Sequence, residues 1–133
     1  MRNPLKTEES LASIMKKTLI FNRISILNGP LKKIVTDLCT ESYFVSSAEA
    51  FTESLNDFSF DLILLQVDHT KMDYATPILR EAMQKSPLSR LVLFSDCEKE
   101  VLTPFLENGA HDFIGKNALL SDFHKVIAQN LNF

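Results

Sequence analysis

The sequence predicts a single open α/β domain with a parallel sheet, and three observations lead to this prediction. The chain has 133 residues, 45% of them hydrophobic, which suffices for one compact core and is too little for two complete domains. Residues 61–67 (DLILLQV) form a continuous apolar run with the length of a strand buried on both faces. A second such run, RLVLFS over residues 90–95, follows a helical segment. A strand–helix–strand unit joins parallel strands by a right-handed crossover, so we expect open α/β rather than a sandwich or a bundle.

The first strand has two possible registers, because residues 18–21 and residues 23–27 both have the required apolar character. The pair Gly29-Pro30 suits the start of a helix and favours the later segment. The spacing to the run at 61–67 favours the earlier one. Residues 1–16 are an expected amino-terminal extension in either register, forming a short helix on the domain or on a partner, or a frayed terminus.

The remaining elements follow from apolar periodicity and from capping residues. Helical spacing predicts a helix over residues 31–38, an edge strand near 43–46 and a short helix near 48–55. Thr76 and Pro77 are the expected N-cap and first residue of the next helix, and Ser121 is the expected cap of the last one. Asn108-Gly109 ends a further helix before a short strand over residues 112–115. The total is about five strands and five helices.

Composition excludes several classes of function. The formal net charge of −3 offers no general attraction to nucleic acid or anionic lipid. Cys39 and Cys97 lie in separate segments without a CxxC motif, which argues against disulfides and structural zinc and favours a cytoplasmic protein. No apolar run has the length of a signal peptide or a membrane span. Glycine-rich phosphate loops and HExxH strings are absent and the three histidines are dispersed, so we expect no cofactor, no metal site and no enzyme.

Three motifs resemble those of the receiver domains of response regulators. FDLILLQVDHTKMDY is similar to the family's apolar strand, phospho-accepting Asp and loop ending in Met-Asp-Gly, with Gln66 at the position of that Asp. LVLFSD resembles the strand ending in the family's conserved hydroxyl residue, here Ser95. NGAHDFIGK resembles the stretch ending in the conserved lysine, here Lys116, although Asn117 stands where the family has Pro. The order and spacing of these motifs make the resemblance specific.

This resemblance implies the architecture of the whole domain. Receivers have a flavodoxin-like three-layer fold, in which five parallel strands in the order 2-1-3-4-5 lie between about five helices. The resemblance covers residues 17–133, which we expect to be the receiver-like domain.

The carboxylates that receivers use in phosphoryl transfer are missing from this sequence. The family holds Mg²⁺ with two acidic residues after the first strand, because Mg²⁺ requires hard oxygen ligands. No Asp or Glu occurs between Ser10 and Thr36, and the acidic positions hold Asn22 and Arg23 in one register or Asn28 and Gly29 in the other. The Gln66 amide cannot form an acyl phosphate by ordinary nucleophilic attack. We therefore expect a degenerate phosphorylation pocket.

Asp68 is the remaining candidate acceptor, since it lies two residues beyond Gln66. Without a metal, Lys116 alone would neutralise the negative charge that develops on the phosphoryl group during its transfer. We therefore expect Asp68 to be a solvated loop carboxylate. A hydrogen bond from Lys116 to Gln66 or Ser95 would lock the pocket, and Arg23 would place a cation at the metal position. A polar pocket without a signalling role is the alternative.

The resemblance also implies a surface for protein contacts. Receivers dimerise or contact an output domain through the fourth helix, fifth strand and fifth helix, here residues 98–108, 112–115 and 121–131. The candidate contact residues, which include the counterpart of the family's switch aromatic at 113, are Val101, Pro104, Phe105, Phe113, Phe123 and Lys125. Within the fourth helix, Thr103-Pro104 predicts a kink or a new start at Pro104 with Thr103 as its cap.

The leading hypothesis is a receiver that works without phosphorylation and acts by protein contact or dimerisation. It would regulate signalling or transcription through a partner or an output domain, without itself binding nucleic acid or membrane. Three alternatives stay open: a small-molecule sensor that uses the cleft at the carboxyl ends of the strands, a receiver phosphorylated on Asp68, and an enzyme on a flavodoxin-like sheet. The last lacks an activated nucleophile and a cofactor motif.

Overall fold

The computed structural model describes residues 16–22, 28–38, 41–68, 72–95, 97–115 and 119–132. A five-stranded sheet with the order β2-β1-β3-β4-β5 forms its centre, and every pair of neighbouring strands is parallel. This is the predicted open α/β fold with the predicted strand order. The strands are β1 (Lys17–Phe21), β2 (Glu41–Val45), β3 (Leu62–Val67), β4 (Arg90–Ser95) and β5 (Asp112–Ile114).

Within the described residues, four helices connect successive strands and a fifth follows β5, and a short 3₁₀ turn (Met72–Tyr74) precedes the third helix. None of the helices in the described ranges is long and apolar enough to cross a membrane. The helices are α1 (Asn28–Leu38), α2 (Ala48–Asp57), α3 (Ala75–Lys85), α4 (Lys99–Glu107) and α5 (Leu120–Leu131).

Two apolar layers cover the two faces of the sheet. Alternate residues of a strand point to opposite faces, so Ile63, Leu65 and Val67 of β3 join a cluster with α2, α3 and α4. Leu62 and Leu64 join the opposite cluster with α1 and α5. All six residues of β3 are buried, which explains why its sequence is a continuous apolar run rather than an alternating one. β3 lies at the centre of the sheet, and its carboxyl end therefore lies between both helical layers.

The first strand adopts the earlier of the two possible registers. Lys17–Phe21 pairs with β2 on one side and with β3 on the other. Gly29 and Pro30 lie in the first turn of α1, so the preference of this pair for a helix start is also satisfied. Residues 1–15, most of the expected extension, lie outside the described part of the chain.

Three local predictions were wrong in detail. The helix expected to start at Pro77, with Thr76 as its N-cap, begins at Ala75, because the preceding 3₁₀ turn leaves Tyr74 in a helical conformation. Ser121 lies inside α5, and the Asp122 carboxylate instead accepts the backbone N–H of Leu119 at 2.8 Å. Of the two alternatives at Pro104, the new start is wrong, and the kink stays a prediction.

α4 runs through Pro104 from Lys99 to Glu107. Thr103 is an interior residue, and its hydroxyl donates to the carbonyl of Lys99 one turn earlier at 3.2 Å. After Pro104 the chain completes one more turn, and Asn108 donates its backbone N–H and its side-chain amide to the Pro104 carbonyl. Proline removes one donor and usually breaks a helix. Here the buried side chains of Leu102 and Phe105 anchor α4 on both sides of it.

Candidate functional site

The carboxyl ends of β1, β3 and β4 bring three of the predicted pocket residues together. Asn22 follows β1 directly, Gln66 is the penultimate residue of β3, and Ser95 is the last residue of β4. The register aligns Phe21 with Leu65 and Ser95 with Val67, so all three residues lie at the same edge of the sheet. Two other predicted pocket residues, Arg23 and Lys116, fall outside the described residues. The contacts expected of them stay predictions.

On the face of the sheet that α1 and α5 cover, the site contains two side-chain amides, those of Gln66 and Asn22. Gln66 continues the row of Leu62 and Leu64, and Asn22 continues the row of Ile20 on the neighbouring strand. Asn22 is 3% exposed and Gln66 is 6% exposed. Amides are neutral, so they avoid the desolvation cost that buried carboxylates would carry at this place.

On the opposite face, the Ser95 hydroxyl is bound within the chain. It donates to the carbonyl of Val67 at 2.5 Å and accepts the backbone N–H of Cys97 at 2.9 Å. This arrangement joins the last residue of β3 to the turn that leads from β4 into α4. A serine hydroxyl has one proton to donate, and here that proton is used inside the protein.

Tyr74 is a site residue that sequence reasoning missed. It occupies the place of the glycine in the Met-Asp-Gly pattern, and its phenol donates to the backbone carbonyl of Gln66 at 2.7 Å. The ring stacks on Phe21 with 5.8 Å between centroids, and Phe21 in turn meets Phe51 edge to face at 5.5 Å. The signal was present in the sequence as a large aromatic at a position where the family has no side chain.

Asp68 follows β3 immediately and is half-buried. It is the acidic residue nearest in sequence to the end of β3 on its carboxyl side.

Asn22, Gln66 and Asp68, three described residues at this edge, offer one carboxylate between them. Mg²⁺ is usually held by one or two carboxylates together with phosphate and water oxygens. Asn22 and Gln66 supply neutral amides, and Asp68 is the lone carboxylate among the three. Within the described part of the chain, no three His, Cys, Asp or Glu side chains come together as a metal site.

The predicted contact residues on the surface of α4, β5 and α5 differ in how much of each side chain is exposed to solvent. Val101 is 42% exposed, and Pro104 and Lys125 are also exposed. Phe113 and Phe123 are half-buried. Phe105 is only 8% exposed and packs in the core beneath α4, so it supports this surface from below rather than facing a partner.

Phe113 connects β5 to α4. The ammonium of Lys99, the first residue of α4, lies 5.9 Å from the centroid of the Phe113 ring, a distance at which a cation is attracted to the ring face. A groove of about 500 Å³ runs beside Phe113 between β5 and α5, with Asp122 and Lys125 on its α5 side. The groove is thus lined by the Phe113 ring, the acidic Asp122 and the basic Lys125.

His111 joins β5 to β4 just before β5 begins. Its Nδ1 accepts the backbone N–H of Leu91 at 2.9 Å, and its own backbone N–H donates to the carbonyl of Leu91 at 2.7 Å. Partial burial, and to a lesser degree the nearby Arg90 guanidinium, lower the pKa of His111 below its usual value. The ring accepts the Leu91 bond only while Nδ1 carries no proton.

Comparison with known proteins identifies the fold. The sequence matches no protein-family model and no curated protein, whereas many solved structures resemble it. The signal receiver domain of a two-component response regulator from Bacteroides fragilis has a TM-score of 0.78 at 14% identity, covering 88% of this chain and 97% of that one. A CheY-like response regulator receiver domain protein from Methanospirillum hungatei JF-1 has a TM-score of 0.76 at 20% identity, covering 89% and 94%.

A third similar structure is a LuxR family DNA-binding response regulator from Silicibacter pomeroyi. Its TM-score is 0.70 at 24% identity, and the match covers 89% of this chain and 93% of that one. The strand order, the five helices and these likenesses together show that the chain adopts the CheY-like, flavodoxin-type fold of response-regulator receiver domains.

Proposed function

We propose that this protein is an atypical receiver domain that is not phosphorylated by the usual aspartate and Mg²⁺ mechanism. In this proposal it acts through protein contacts, as a non-catalytic regulatory domain of a cytoplasmic signalling or transcription pathway. The observation that carries the proposal is the buried amide of Gln66 at the end of β3, beside Asn22 at the end of β1.

The chemistry of these two amides supports the loss of phosphorylation. A carboxylate nucleophile attacks phosphorus and keeps the phosphoryl group as an acyl phosphate, whereas an amide nitrogen is not a comparable nucleophile. Metal neutralisation of the transferring group is a principal part of phosphoryl-transfer catalysis. Gln66 removes the nucleophile, and Asn22 removes one of the two carboxylates that would hold the metal.

The surface of α4, β5 and α5 is the proposed contact region. It combines the exposed Val101 and Pro104 with the half-buried aromatics Phe113 and Phe123 and with Lys125. Apolar and aromatic groups surrounded by charges are typical of the centre and rim of protein interfaces. The similar structures include a DNA-binding response regulator, and we extend this to a partner or output domain that responds to the present domain.

Incubation with acetyl phosphate and Mg²⁺, followed by intact-mass measurement, tests the proposal. We expect no gain of mass, while a Gln66→Asp, Asn22→Asp double variant shows whether restoring carboxylates restores any phosphorylation. A stable gain of one phosphate on the wild-type protein would overturn the proposal. If Asp68→Asn then abolished that gain, the acceptor would be Asp68.

A further inference from the structure

The outer strand β2 turns the backbone groups of two residues away from the sheet. Within the described residues, β2 lies at one end of the strand order and pairs with β1 alone. The N–H of Glu41 donates to the carbonyl of Lys16, just before β1, at 3.2 Å. Because successive strand residues direct their backbone groups to alternate sides, Glu41 and every second residue after it bind β1. The N–H and C=O groups of Ser42 and Phe44 therefore point outward, as on any edge strand.

The two edges of the sheet differ in how open they are to another strand. β5 has three residues, and its Asp112 carboxylate accepts the N–H of Phe113 at 2.9 Å and the side-chain amide of Asn130 at 3.1 Å. Short edge strands and charged side chains oppose further pairing. β2 has five residues, contains neither Pro nor Gly, and has Glu41 as its single charged residue. β2 is therefore the edge that is better suited to strand addition.

The single charge of β2 is balanced within the same domain. The Glu41 carboxylate accepts the Tyr43 phenol at 2.7 Å, and the Lys17 ammonium lies 3.7 Å from that carboxylate. Unbalanced charges on an edge strand are one means by which proteins prevent strand addition. Because Glu41 stands at the first residue of β2 with a cation beside it, its opposition to strand addition is weak.

Apolar side chains reach the β2 edge on both faces of the sheet. Tyr43 packs against the cluster beneath α2, α3 and α4, and Phe44 packs against the cluster beneath α1 and α5. The Tyr43 ring stacks on that of Phe58 with 5.0 Å between centroids, and Phe58 is 41% exposed. Tyr43, Phe44 and Val45 are half-buried, whereas all of β3 is buried. A further strand beside β2 would cover this apolar area, which favours association.

The outward groups of β2 are complementary to those of a second copy of β2. In an antiparallel pair, two opposite residues of the hydrogen-bonded kind exchange both of their N–H···O bonds. When Tyr43 lies opposite Tyr43 of the second copy, each Ser42 lies opposite a Phe44. Every outward N–H and C=O group of these two residues then finds a partner. Glu41 lies opposite Val45 in this register, so no like charges face each other directly.

We infer that β2 is a self-association edge, at which two copies of this chain pair antiparallel about a two-fold axis at Tyr43. Their two sheets join into one continuous sheet, and the dimer is closed because both copies use the same surface. β2 and β5 lie at opposite ends of the strand order, so this dimer leaves the surface of α4, β5 and α5 uncovered. The inference goes beyond the function proposed above and does not depend on the loss of phosphorylation.

Residue-resolved amide exchange of the wild-type full chain, measured by NMR at micromolar and at millimolar protein concentration, tests the pairing. We expect the N–H groups of Ser42 and Phe44 to exchange about tenfold more slowly at the higher concentration, because only the dimer gives them acceptors. The N–H of Tyr43 binds β1 in the monomer and in the dimer, so its exchange should change little. Equal exchange of Ser42 and Phe44 at both concentrations would overturn the inference.

Ser42→Pro tests the same edge by sedimentation equilibrium. We expect the wild type to dimerise and Ser42→Pro to weaken the dimer by about tenfold or more, because each copy loses an outward donor. The domain should stay folded, since the N–H of Ser42 does not bind β1. Ser42→Ala keeps this N–H, is the matched control and should dimerise like the wild type. A wild type that stays monomeric at millimolar concentration, or a Ser42→Pro dimer of unchanged strength, contradicts the inference.

The two measurements also separate this edge from other occupants. If Ser42 and Phe44 exchange slowly at every concentration, another segment of the same chain covers β2 and the inference is wrong. If Val101→Lys weakens the dimer and Ser42→Pro does not, the copies associate through the surface of α4, β5 and α5, and the inference is also wrong. Should Ser42→Pro fail to fold, exchange in the wild type still decides. A gain of mass with acetyl phosphate would overturn the proposed function and leave the β2 dimer untouched.

Discussion

The carboxyl end of the sheet and the surface of α4, β5 and α5 differ in how far their side chains are buried. At the carboxyl end, Asn22 and Gln66 are buried, and the Ser95 hydroxyl binds within the chain. On the surface, Val101 is 42% exposed and a groove of about 500 Å³ lies open beside β5. The described side chains of the first region are mostly buried, whereas the second region exposes an apolar side chain beside a groove.

This difference teaches where substitutions should act on stability and where they should act on association. The buried amides at the carboxyl end are neutral, and neutral polar groups are easier to bury than charged ones. The contact surface depends on shape and exposure, which the same sheet and helices still provide. Substitutions in the buried region should therefore affect stability, and substitutions on the exposed surface should affect association.

The largest effect is expected from Phe21, which is 2% exposed and supports both Tyr74 and Phe51. Phe21→Ala should lower the free energy of unfolding by about 3–4 kcal/mol, since it removes a buried ring and leaves a cavity. Urea denaturation measures this value. Phe58→Ala is the matched control: its ring is 41% exposed, so its loss should cost clearly less, and equal costs would contradict the comparison.

Ser95→Ala is expected to cost about 2 kcal/mol in the same measurement. The substitution leaves the carbonyl of Val67 and the N–H of Cys97 without their hydroxyl partner, and both residues are buried. Ser59→Ala, at an exposed position, should change stability by less than about 0.5 kcal/mol. Equal stability of Ser95→Ala and the wild type would show that the hydroxyl contributes nothing.

A smaller, pH-dependent effect is expected at His111. Its pKa in the folded protein is lowered by partial burial and by Arg90, so the unfolded chain binds the proton more readily than the folded one. The stabilising contribution is therefore complete above the unfolded value of about 6.5 and is lost as the pH falls through the folded value. Thermal unfolding between pH 7.5 and pH 5 measures this loss.

The matching variant is His111→Asn, whose amide oxygen can still accept the Leu91 N–H and does not titrate in this range. We expect its stability to fall less than that of the wild type on acidification. An identical pH profile for His111→Asn and the wild type would rule out this role of His111.

The smallest effect on stability is expected at Val101. Val101→Lys replaces an exposed apolar side chain by a charge and should change the free energy of unfolding by less than about 0.5 kcal/mol. If the proposed surface mediates self-association, sedimentation equilibrium should show weaker association of this variant. Leu88→Lys, at an exposed position between α3 and β4, is the control and should associate like the wild type.

Much of the fold could be predicted from local pattern. β3 and β4 were recognisable because strands buried on both faces have continuous apolar sequences, and both lie where the sequence predicted them. Helix boundaries were less predictable, since the 3₁₀ turn before α3 and the Asp122 bond at the start of α5 depend on geometry that capping preferences do not specify. The new helix start at Pro104 was wrong because intrinsic propensity ignores the buried contacts that hold α4 together.

Some residues of the candidate site could likewise be predicted from the sequence, and others could not. Gln66 and Ser95 were predicted from the receiver-like motifs, and Asn22 was predicted in one of the two registers of the first strand. The structure brings all three to one edge of the sheet. Tyr74 was not predicted, because its position depends on stacking against Phe21, a residue more than fifty positions away in the chain. Long-range contacts of this kind leave no periodic signal in the sequence.

The sequence by itself determined the open α/β class and the absence of acidic residues between Ser10 and Thr36, since composition and apolar periodicity do not depend on how the chain is folded. Only the tertiary structure decided the register of β1, the burial of Phe105 and the hydrogen bonds from the hydroxyls of Tyr74 and Ser95 to the carbonyls of Gln66 and Val67. Two apolar segments compete equally for one strand until neighbouring strands pair with one of them. A hydroxyl likewise acquires its partner only when the sheet brings a carbonyl within reach.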